Sequence, residues 1–164
     1  MKPAPASPAF RKGGRILTIA MAFAVLSAAL MAMRIHFYAE FWIDRTYWLL
    51  ALAAFGGFIG AGLVGLLYPA LARRLTGLKL RSITAFSFCC FFMLGMGLLF
   101  VVYVRLIAGT AEIHPDFFWR SLISGTAQVF AAFLISSPTY LLPWMLPILA
   151  LTAAFLIPQV EKPR

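Results

Sequence analysis

The sequence predicts an all-α fold: a polytopic bundle of membrane-crossing helices with its N-terminus in the cytoplasm. Three observations predict it. Apolar runs cover residues 16–33, 47–71, 83–104 and 117–157, and a helix needs about 20 apolar residues to cross a bilayer core. The charged residues gather near or beyond the ends of these runs, sorted by sign. Lys2, Arg11, Lys12 and Arg15 precede the first run and Arg73, Arg74, Lys79 and Arg81 follow the second, whereas Glu40, Asp44, Glu112 and Asp116 fall in the other two connections. Finally, runs this long and unbroken are not the alternating segments of about ten residues that build a barrel, so helices must satisfy the backbone in lipid.

Composition agrees. The chain has 164 residues, 63% of them hydrophobic and 12% charged, against about 25% charged in soluble domains. Mean hydropathy is +0.93. A net charge of +9 would suggest nucleic acid in a soluble protein. Here the cations flank apolar spans, so they read as topogenic charge in contact with anionic head groups. The lipid bilayer is the expected partner, with no nucleic acid and no cofactor.

Residues 1–14, with Pro3, Pro5, Pro8 and Gly13-Gly14, read as a disordered basic cytoplasmic tail. Residues 15–158 form one transmembrane domain and 159–164 a short C-terminal tail. The first helix is expected over Ile16–His36. Ser27-Ala28-Ala29 would pass as a signal-peptide cleavage site, but the apolar run continues to Met33, so the segment reads as a retained span. The second helix starts at Asp44, a good N-cap, and ends near Ala72. The third covers Ser82–Ile107. Lysines and arginines place the N-terminus and the 73–81 connection in the cytoplasm. Phe37, Tyr38, Phe41, Trp42, Tyr47, Trp48 and Phe117–Trp119 form the outer aromatic belt.

The last third admits two readings. Phe117–Ile135 and Tyr140–Ile157 are each near span length, separated by Ser136–Thr139. As two helices they bring the crossings to five and leave the C-terminus outside. As one crossing plus an interfacial segment they bring Lys162 and Arg164 inside, which charge bias prefers. The polar stripe Arg120, Ser121, Ser124, Gly125 and Gln128 is too weakly charged for a surface helix, and Tyr140 and Trp144 would supply an inner aromatic belt. The balance falls on five, with four as the alternative. The two halves also share a loose pattern of outer histidine, acids and aromatics, a faint trace of duplication.

Small residues give the clearest packing signal. Ala20, Ala24 and Ala28 recur every four residues with Ala32 in the first span; Gly56, Gly60 and Gly65, with Gly57 and Ala61, do so in the second. Such stripes let helix backbones approach closely in lipid. They serve either a dimer or partner face, or the packing of the first two helices on each other, which a short loop favours.

The outer connections gather His36, Glu40, His114 and Asp116, a candidate zinc or copper set by residue type. The competing reading is helix caps, ion pairs with nearby arginines, and histidines among head groups. Cys89-Cys90 lies at mid-span and reads as inert apolar filling. No charged residue sits deep in a span, as ion-coupled carriers usually need. The leading expectation is therefore a small non-catalytic protein of the inner membrane. It would act as an accessory or assembly subunit, packing against itself or a larger complex. A small transporter, or an enzyme or metal-handling protein using the outer cluster, are the alternatives.

Overall fold

A computed structural model describes residues 8–38, 44–107, 127–128, 131 and 145–161. All the regular elements among these described residues are helices: α1 (Pro8–Tyr38), α2 (Asp44–Arg74), α3 (Gly77–Ile107) and α4 (Met145–Glu161). The first three contain 31 residues each, about 46 Å of helix at 1.5 Å per residue. All three are long and apolar enough to cross a membrane, which makes the chain a helical membrane protein in a lipid environment.

The termini show why the helices begin and end where they do. α1 opens on Pro8, where a missing N–H costs nothing; it thus takes in residues 8–14, which sequence alone assigns to a tail. α2 starts at Asp44 as expected. Its end runs two residues past Ala72, and α3 begins five residues before Ser82, so the connection shrinks to Leu75 and Thr76. Leu75 N–H donates to the Leu71 carbonyl at 2.9 Å, closing the last turn of α2. Gly77 then turns the chain with φ of +60°, a conformation that costs a side-chain-bearing residue about 1–2 kcal/mol.

α2 is the central element, flanked by α1 and α3. Both pairs are antiparallel: Gly65, late in α2, meets Ile16, early in α1, and Gly56, early in α2, meets Met96, late in α3. α4 packs chiefly on α3 and more lightly on α1 and α2. Met145, Leu149, Ala153 and Ile157, one every four residues, form its inner face and are fully enclosed. Pro147 falls in its first turn, where no intrahelical donor is lost.

The C-terminal half of α4 lies beside the N-terminal ends of α1 and α3. Arg81 sits 5.0 Å over the Phe155 ring, and Leu156 shares a groove with Gly14 and Arg15. Met145 and Leu149 belong to the same core cluster as Phe88, Phe92 and Met96. α4 therefore runs antiparallel to α3.

Outside the core, large apolar side chains face outward in rows. Leu17, Met21, Val25 and Met33 line α1, and Phe86, Leu94, Leu98 and Val102 line α3. In water such rows would be a liability; against acyl chains they need no cover.

Candidate functional site

α2 carries small residues on two faces, and each face meets a different helix. Toward α1, a methyl added at Gly57 would collide with Ser27 Oγ and stand 2.5 Å from the Phe23 carbonyl oxygen. Gly62 faces the Ala20 methyl at 3.7 Å and Gly65 faces Ile16 at 3.4 Å. Toward α3, a methyl at Gly56 would lie 2.5 Å from Met96 Cγ and 3.0 Å from the Phe92 carbonyl oxygen. At Gly60 it would lie 3.2 Å from the Phe88 ring. α3 reciprocates with Gly95, where a methyl would come within 2.9 Å of Ile59.

Phenylalanines fill the seam that these approaches create. Phe23 of α1 and Phe88 of α3 meet with centroids 5.1 Å apart and planes tilted by 51°. Phe92 stacks on Phe88 at 5.8 Å. All three are sealed from the exterior. Toward the other end, Trp48 and Tyr103 tie α2 to α3 at 4.7 Å.

Of the residues singled out by small-residue spacing, Gly56 and Gly60 lie on the α3 face of α2, and Gly65 on the α1 face. Ala20 is buried, whereas Ala24 and Ala28 are half-buried. The enclosed positions of α1 are instead Ile16, Ile19, Ala20, Phe23, Ser27, Met31 and Ile35. Gly62 and Gly95 join these contacts without belonging to the spacing pattern; their one sequence signal is a glycine inside an apolar helix.

Two buried hydroxyls differ. Thr84 donates to the Leu80 carbonyl at 2.7 Å, the usual helical outlet for a threonine in lipid. Ser27 Oγ is fully buried with no hydrogen-bond partner, pressed against Gly57.

Of the possible metal ligands, His36 is exposed in the last turn of α1, with Phe37 5.8 Å away. Glu40, His114 and Asp116 lie outside the described residues. Among the described residues no three histidine, cysteine or acidic side chains come together. Cys89 and Cys90 are free thiols, half-buried and exposed respectively.

The chain matches no protein-family model, no curated protein and no solved structure, so its own residues carry the functional argument.

Proposed function

We propose that this chain is a non-catalytic, multi-pass accessory or assembly subunit of the inner membrane, with its N-terminus in the cytoplasm. The supporting observation is how the interior is used. Between α1, α2 and α3 the space is taken up by Phe23, Phe88 and Phe92 and by backbone drawn close at Gly56, Gly57 and Gly60. An interior spent on packing suits a scaffold better than a conduit. The rows of outward apolar side chains on α1 and α3 remain for lipid or for the helices of a larger complex. Mass spectrometry of proteins retained after gentle detergent extraction tests the reading. Reproducible stoichiometric membrane partners are expected; a partner-free protein that moves solute in proteoliposomes would sink it.

The polarity of α4 bears on topology. Because its C-terminal end lies beside the starts of α1 and α3, the two termini of the bundle share one side, which supports an even number of crossings. Four is then preferred to five. Charge argues the same way. That arrangement gathers ten basic residues and one acid, Glu161, on the cytoplasmic side, and leaves four of each outside. Single cysteines at Thr76 and Gln159 are both expected to resist an impermeant thiol reagent in intact cells, in a Cys89→Ser/Cys90→Ser background. Labelling at Gln159 alone would restore five crossings; labelling at Thr76 would invert the whole arrangement.

A further inference from the structure

We propose that the groove between the N-terminal half of α1 and the end of α4 is a binding site for one anionic phospholipid. An acyl chain would lie along the groove, with the phosphate against Arg15. The groove encloses about 580 Å³. Its walls are the α1 face at Ile19, Ala22 and Phe23 and, across from it, Leu156 of α4. Thr18 also lines it, but its hydroxyl already donates to the Gly14 carbonyl at 2.9 Å. Among the described residues, Arg15, exposed at the terminal edge, is the one charged side chain that lines the groove. A long apolar slot with the Arg15 guanidinium at its membrane-surface end matches a tail with an acidic head. Arginine binds phosphate oxygens in a fork, with two parallel hydrogen bonds.

Other occupants fit less well. On the topology proposed above, the end of α3 and the start of α4 lie on the far side of the membrane from Arg15. Residues 1–7 and 162–164, next in sequence to α1 and α4, contain Lys2, Lys162 and Arg164 and no large apolar residue besides Met1. Like charge disfavours their approach to Arg15, and they have little to place in an apolar slot. Charge complementarity also favours an acidic head group, since Arg73, Arg74, Lys79 and Arg81 stand exposed at the same end of the bundle. Arg81 packs over Phe155, next to the groove residue Leu156.

Native mass spectrometry on protein equilibrated with equal phosphatidylglycerol and phosphatidylcholine tests the site. One phosphatidylglycerol is expected to survive on the intact chain in preference to phosphatidylcholine. Arg15→Gln is expected to cut that preference about fivefold, the worth of one cation near an anionic lipid surface. Arg73→Gln, away from the groove, is expected to cut it far less. Ala22→Phe, at an exposed position, fills the slot and is expected to lose the retained lipid while circular dichroism stays unchanged. Equal retention of the two lipids overturns the proposal. So does an unchanged preference in Arg15→Gln, undiminished lipid in a folded Ala22→Phe, or a photo-cross-linker at Ala22 that captures protein instead of lipid.

Discussion

α2 meets α1 and α3 through glycines on both sides, yet the two faces use them differently. On the α1 face, Gly57 abuts the Phe23 carbonyl and the Ser27 hydroxyl, one fixed in the backbone and the other only two bonds from it. On the α3 face, Gly56 abuts the Met96 side chain first and the Phe92 backbone second. A methionine can swing away; a helical carbonyl cannot without moving its helix. Glycine spacing alone thus says little about cost, which depends on whether the neighbour can yield.

The largest expected effect is therefore on the α1 face. Gly57→Ala should destabilise the bundle by about 3 kcal/mol, the upper part of the range for overpacking. Unfolding titrated with a denaturing detergent would read it. Adding Ser27→Ala removes one of the two obstacles and should recover less than half of the loss. Full recovery would mean that the serine hydroxyl, not the α1 backbone, sets the spacing.

Gly56→Ala should cost about 1–2 kcal/mol, because Met96 moves but the Phe92 carbonyl at 3.0 Å remains. If it proves as costly as Gly57→Ala, the contrast between the faces fails. The smallest effect belongs to Gly65, whose added methyl would meet Ile16 at an ordinary 3.4 Å. There alanine should stabilise by about 0.5 kcal/mol by restricting the unfolded chain. A loss of more than 1 kcal/mol, on the order of the overpacking seen elsewhere, would show α1 and α2 to be closer than Ile16 suggests.

Much of this architecture is legible in the sequence, for definite reasons. Apolar length marks three spans, and the start of α2 falls at Asp44, a residue type that favours helix starts. The assignment of faces is not legible. Alanines every four residues, Ala20 to Ala32, look like a contact stripe, but a step of four residues drifts by about 40° around a helix. The enclosed path from Ile16 through Phe23 to Ile35 corrects that drift with a step of three, Ala20 to Phe23. In α2 the adjacent pair Gly56-Gly57 points to two different helices, and no residue beside it names either partner. The α2–α3 connection is also shorter than its charges suggest. Arg73–Arg81 reads as loop because charge implies water, although helix ends at a membrane surface carry the same charges.

The direction of α4 is beyond the sequence for another reason. Two segments near span length can be threaded through a membrane in either sense, and their hydropathy is the same both ways. The meetings of Arg81 with Phe155 and of Leu156 with the start of α1 give the direction. The candidate metal set is legible as residue types alone, and of its four members only His36 has a described position.

The two-residue turn at Leu75-Thr76 has a consequence for how the protein is made. A link so short closes with little loss of chain entropy, so α3 can pair with α2 as soon as both have entered the bilayer. Their contacts lie close in sequence, which is the condition for rapid assembly. α4 must wait until residues 108–144 have been synthesised, and it then docks on a surface already formed. During that interval the buried faces of α1 and α3 that α4 will cover stand open to lipid. Biosynthesis thus has a vulnerable stage, in which a chaperone or a neighbouring subunit could occupy the place that α4 takes last.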